Sequence, residues 1–201
     1  MTSTMTTPPG SPATPTRPGL APLIEQIRRC THPDSDSDSA PAPDPRTTAR
    51  TVARILAKLR PTPDLLTAAE REGSADNYTR HTLHTEAAFS ISAVVWRPGQ
   101  FTEIHDHLVW CSYLVLQGTE TEDIFDHDGG RLVRIGRLRR PAGSVSGVAP
   151  PDDIHRVHNT GGTVAITLHV YGADLSRGTS VRRTYELTST EGRDHRHGHS
   201  G

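Results

Sequence analysis

Large apolar residues recur at intervals of three and four between Leu20 and Leu59, and from about Tyr78 to Tyr185 the repeat shortens to two. The first pattern predicts helices. In LAPLIEQIRRC, Leu20, Leu23, Ile24 and Ile27 share one helical face over Leu20–Cys30, and in TTARTVARILAKL, Val52, Ile55, Leu56 and Leu59 share another over Thr47–Leu59, stopped by Pro61. The stretch HPDSDSDSAPAPDP between them is rich in Pro, Ser and Asp and reads as a linker. Residues 1–18 hold too few large apolar side chains to offset the entropy of ordering and are expected to be disordered. The chain thus divides into that segment, helices and linker over 19–77 packing outside the main domain, a β domain over 78–188, and a flexible His-rich tail over 189–201.

The second pattern, punctuated by Gly, Pro and Asp, predicts an all-β barrel or sandwich. In FSISAVVW, Phe89, Ile91 and Val95 fall on one face and Ser90 and Ser92 on the other, which suits a half-buried strand. In TVAITLHVY, Val164, Ile166, Leu168 and Val170 share a face, leaving Thr167, His169 and Tyr171 opposite. That polar row either faces water or lines a polar cavity; alternation alone leaves both open.

Charge and cysteine content narrow the function classes. The 201 residues carry a formal net charge of -1, with 22 Lys and Arg and no basic block, so neither nucleic acid nor a lipid surface is an expected partner. Cys30 and Cys111 lie far apart in unlike surroundings, which argues against a disulfide framework and for a reducing compartment, the cytoplasm. No apolar stretch reaches membrane-spanning length, and neither an anchor nor a secretory leader is expected. A monomer is expected.

Histidine is what stands out. Of twelve histidines, three lie in the tail DHRHGHSG, which reads as solvated sequence. His105 and His107 flank one residue, so an extended chain points both the same way, a spacing suited to one metal ion; His155 stands just before the polar-faced strand. His158 alternates away from His155 and is excluded, and His81, His84 and His127 have no partner spacing. The wider pattern is Gly99, five residues, His105-x-His107, three residues, Cys111, six residues, Gly118, then Pro141-x-Gly143 and His155-x-x-x-Asn159.

Those spacings resemble the two motifs of the cupin superfamily, with Cys111 in place of the usual glutamate ligand. Within it the chain is similar to the thiol dioxygenases, above all cysteine dioxygenase, through Tyr78-Thr79-Arg80, the run from Trp96 to His107, Leu116-Gln117-Gly118, His155-Arg156-Val157 and Leu168-His169-Val170-Tyr171. The resemblance implies a mainly β fold, a small jelly-roll-like barrel with N-terminal helices, and Fe(II) on His105, His107 and His155. It implies oxidation by O₂ of a small thiol, cysteine before 3-mercaptopropionate, to a sulfinic acid. Arg80 would hold the substrate carboxylate, with Arg182 and Arg183 as the alternative used by mercaptopropionate enzymes, and Tyr78 would hydrogen-bond or pack in the pocket. Thr167, His169 and Tyr171 match a Ser-His-Tyr row in which the tyrosine hydrogen-bonds to substrate and the histidine holds the phenol, while Cys111 either crosslinks to Tyr171 or stays a free thiol. Three neutral imidazoles leave a divalent charge uncompensated, which favours a thiolate ligand. The competing reading is a non-catalytic metal-binding cupin.

Overall fold

The computed structural model describes residues 15–31, 44–151 and 153–187. Most of the segment 1–18, the linker over 32–43 and the tail over 189–201 lie outside the described residues. Three helices come first, α1 (Leu20–Thr31), α2 (Pro45–Leu59) and the short α3 (Ala68–Glu72). Ten strands follow: β1 (Thr79–Glu86), β2 (Phe89–Trp96), β3 (Ile104–His107), β4 (Cys111–Gln117), β5 (Thr119–Asp128), β6 (Arg131–Pro141), β7 (Val145–Val148), β8 (His155–His158), β9 (Ala165–Tyr171) and β10 (Val181–Tyr185).

Helix α2 starts two residues before its apolar periodicity because the Asp44 carboxylate accepts from the Thr47 backbone N–H at 2.8 Å and Pro45 occupies the first turn, where no N–H partner is needed. It ends at Arg60, whose left-handed conformation lets its N–H reach the Leu56 carbonyl, and Pro61 prevents continuation. The turn α3 carries a reciprocal cap between Thr67 and Glu70, a feature too short to show as periodicity.

The strands form two antiparallel five-stranded sheets in the orders β1-β2-β9-β4-β7 and β10-β3-β8-β5-β6. Apart from the β5–β6 hairpin, which stays in one sheet, strands β2 to β9 alternate between the sheets in the order of a jelly roll, the cupin type of double sheet, with β1 and β10 added at the edges. The sheets share no strand among the described residues, so the domain is an open pair of sheets and not a closed barrel. Gly118 turns the chain from one sheet to the other at φ 74°, and a Cβ there would meet the Val164 carbonyl at 2.8 Å. No described helix is long and apolar enough to cross a membrane.

The main apolar layer does not lie between the sheets. Leu23, Ile27, Val52 and Leu56 of the helices pack on Phe89, Ile91, Ala93, Val95, Leu114, Ile166, Leu168 and Val170, the outer face of the first sheet. Gly147 lets α2 come close, since a Cβ would meet the Ala49 carbonyl at 2.6 Å. Strand β2 is therefore buried along its whole length and not half-buried, because α1 and α2 cover the face that alternation alone assigns to an ordinary core. The opposite rows, including Thr167, His169 and Tyr171, turn into a cavity of about 370 Å³ between the sheets or lie just behind its wall.

Candidate metal centre

His105 and His107 occupy alternate positions of β3 and so face the same way, while Asp106 between them faces out to Arg182 and Tyr185. Strand β8 lies beside β3 with His155 directly opposite His105. The three rings meet with centroids 4.7 to 5.1 Å apart, and one ring nitrogen from each lies within 4.8 Å of the others.

Partners on the other nitrogens decide which lone pairs are free. His105 Nδ1 lies 3.0 Å from the Glu103 carbonyl, His107 Nδ1 2.9 Å from an Asp153 carboxylate oxygen, and His155 Nδ1 2.9 Å from Glu122 Oε1. A carbonyl or carboxylate oxygen can only accept, so each Nδ1 carries a hydrogen, and Nε2 is the nitrogen left to face a metal ion. Burial, reinforced by His155 and His107, holds His105 down to about 3, and burial also lowers His107 despite Asp153. Imidazoles each held through Nδ1, two by carboxylates and one by a backbone carbonyl, are a donor set that suits a first-row divalent ion. These residues fit a metal ion.

Glu122 and Asp153 escaped the sequence reading, although both act on the ligands. Burial opposes ionisation of Glu122, but the His155 hydrogen bond and Arg140 outweigh it and hold the carboxyl at about 2. A negative charge thus stands behind His155, where it would offset part of the charge of a bound cation. The alternation Glu120-x-Glu122 was the available signal, but it equally describes a solvated strand.

The facing wall comes from the first sheet. Cys111 and Tyr171 are direct cross-strand neighbours, and with Tyr78, Arg80 and His169 they line the cavity. Thr167 sits one layer back, fully buried, accepting from the Trp96 indole N–H at 3.0 Å and bonded to His169 Nε2 at 2.9 Å. His169 stacks on Tyr171 with centroids 5.8 Å apart, and its other nitrogen lies 3.8 Å from Cys111 Sγ; its hydrogen bonds go to these neighbours and not to the phenol. Burial, then Cys111, raises the Tyr171 phenol above its ordinary range, so the hydroxyl keeps its proton. Cys111 is a free thiol, raised by burial. Tyr78 packs on Trp96 with centroids 4.6 Å apart.

The arginines separate cleanly. Arg80 lines the cavity and makes no hydrogen bond or ion pair to another described residue, whereas Arg182 is committed to Asp106 on the outer face. Arg183 pairs with Asp106 in the β10 register and lines no part of the cavity. His158 is outside too, 3.5 Å from Asp123, and His84 is paired with Glu86 at 3.0 Å.

No protein-family model matches the chain. Among solved structures, a cupin superfamily protein from Desulfitobacterium hafniense is 18% identical over 55% of this chain and 85% of its own, with a TM-score of 0.41. A Klebsiella pneumoniae protein with a double-stranded β-helix domain is 17% identical over 55% of this chain and 90% of its own, at 0.42. Oxalate oxidase in complex with glycolate is 17% identical over 50% of this chain and 53% of its own, at 0.39.

Proposed function

We propose that this chain is an Fe(II)-dependent thiol dioxygenase of the cysteine dioxygenase type, with L-cysteine as first substrate and 3-mercaptopropionate as runner-up. The observation that carries the reading is a cluster of three buried histidines facing, across one cavity, a wall that holds Tyr171, Cys111 and an unpaired Arg80. Fe(II) on His105, His107 and His155, when bound, supplies a Lewis acid that lowers the thiol pKa and a redox centre for O₂. Thiol and O₂ give sulfinic acid with both oxygen atoms on sulfur, which loses the four electrons that O₂ gains.

The protein's own residues orient the substrate. Arg80 offers a planar guanidinium, free of other bonds, to a carboxylate. Tyr171 keeps its phenolic proton and donates it to the substrate side, while Trp96, Val94 and Val157 form an apolar flank that limits water. The commitment of Arg182 to Asp106 favours Arg80 as the carboxylate anchor.

Oxygen uptake by the iron-loaded protein, measured with L-cysteine and with 3-mercaptopropionate, tests the reading. We expect one sulfinate per O₂ and a preference for cysteine. Preference for the thiol lacking an amine moves the substrate to 3-mercaptopropionate; no uptake with any small thiol leaves a non-catalytic metal-binding protein.

A further inference from the structure

Among the described Asp, Glu, Lys and Arg residues, only Arg80 and Glu103 line the cavity. They come from opposite walls. Arg80 stands on β1 of the first sheet, paired in register with Val94, and Glu103 lies one residue before β3 of the second. Residues 103, 105 and 107 alternate along one extended run, so Glu103 heads the inward row that His105 and His107 continue.

The backbone that presents Glu103 is held firmly. Its carbonyl lies 3.0 Å from His105 Nδ1, the Thr102 N–H donates to the Val157 carbonyl at 2.8 Å, and the Val157 N–H donates to the Thr102 hydroxyl at 3.1 Å. The carboxylate itself is uncommitted. It makes no hydrogen bond or ion pair to a described residue, the Arg80 guanidinium makes none either, and the two do not pair with each other.

We infer that Glu103 is a specificity-determining residue that takes the substrate ammonium, so that Arg80 and Glu103 together select a zwitterionic aminothiol, a thiol with one carboxylate and one protonated amine. The inference rests on the proposed function and refines the substrate class of that same cavity.

The donor and acceptor count supports the assignment. A carboxylate only accepts and an ammonium only donates, so Glu103 and an amine match in charge and in hydrogen-bond role, as the planar Arg80 guanidinium matches a carboxylate. Glu103 also acts against the wrong ligand. A thiol with a carboxylate and no amine leaves Glu103 unpaired and brings a further anion into a cavity of about 370 Å³. A thiol with an amine and no carboxylate leaves Arg80 unpaired instead. Both side chains are exposed at the mouth, where water screens them, so each contact is expected to contribute about tenfold in affinity, the low end for a charged hydrogen bond.

Three thiols separate the two contacts. L-Cysteine carries both charges, 3-mercaptopropionate only the carboxylate and cysteamine only the amine. Calorimetry on the full chain loaded with Fe(II), under argon so that nothing turns over, reads their affinities without recourse to activity. The wild type is expected to bind L-cysteine about tenfold more tightly than either of the others. Glu103→Gln alters an exposed side chain that has no partner to lose; it should weaken L-cysteine and cysteamine about tenfold and leave 3-mercaptopropionate as tight or tighter. Arg80→Gln should weaken L-cysteine and 3-mercaptopropionate and spare cysteamine.

Equal losses for all three thiols in Glu103→Gln would assign the residue a structural role and overturn the inference. So would an unchanged L-cysteine affinity in that variant, or a wild type that binds 3-mercaptopropionate as tightly as L-cysteine or binds no thiol at all. Unchanged affinity in a protein that oxidises cysteine removes Glu103 and keeps the enzyme. The expected charge pattern in a protein that consumes no O₂ with any thiol keeps the aminothiol site and removes the enzyme.

Discussion

His155 and His158 stand three residues apart on β8, and each meets a carboxylate of β5, yet the two pairs do different things. On the outer face Asp123 is saturated: Arg137 binds it at 2.6 and 2.9 Å, Arg156 at 3.0 Å, and Arg134 and His158 stand at 3.7 and 3.5 Å. On the inner face Glu122 takes the Nδ1–H of His155 and leaves Nε2 aimed at two more imidazoles. The outer cluster offers cations to an anion that already has enough of them. The inner cluster brings one ring nitrogen from each of three histidines within 4.8 Å of the others. Histidine and carboxylate together are therefore not the mark of a metal site; what marks it is which nitrogen the carboxylate occupies and what the other nitrogen faces.

Removing one histidine from each face breaks that comparison most sharply. In protein loaded with Fe(II), His155→Ala is expected to abolish metal binding, since two imidazoles cannot hold the ion against buffer, whereas His158→Ala is expected to bind as the wild type does. Elemental analysis of gel-filtered protein reads both, and stoichiometric iron in His155→Ala would dissolve the centre. A smaller effect comes from the carboxylate behind the ring. Glu122→Gln keeps the size of the side chain but loses the charge and leaves its amide orientation free. Metal affinity should fall about 10- to 100-fold, the usual cost of losing such a partner, read by competition with a chelator. Glu122 also accepts from the Tyr113 hydroxyl at 3.1 Å and from Arg140 at 3.0 Å, and unchanged affinity would mean that it serves those two alone.

The sequence made one half of this arrangement visible and hid the other, for a physical reason. His105 and His107 could be paired because alternation within one strand is local, and α2 could be read because Val52, Ile55 and Leu56 repeat along one helix. Glu122 and Asp153 could not, because their meeting with His155 and His107 depends on the register of β5 on β8 and on the loop before β8, which a period of two leaves undetermined. Arg182 was obscured similarly: an irregularity in the pairing between Val181 and Arg183 interrupts simple alternation, and the side chain goes to Asp106. For β2 the apolar row was legible but its cover was not, since nothing in eight residues says whether helices or another sheet lie above them.

The smallest expected effect falls on the outer cluster. Asp123→Asn removes the anion at the centre of three arginines and leaves them to repel one another. A fully buried pair broken this way costs about 3–5 kcal/mol, but Arg134 and Arg137 are half exposed and water screens them, so about 1–2 kcal/mol is expected here. For a chain of 201 residues that lowers the thermal midpoint by roughly 2–4 °C per kcal/mol, while iron content stays at one per chain. Adding salt should narrow the difference from wild type, because the repulsion it relieves lies at the surface. Loss of iron together with stability would show that the two faces are coupled: Asp123 would then hold β5 in the register that brings Glu122 to His155, and the outer arginines would belong to the architecture of the metal centre.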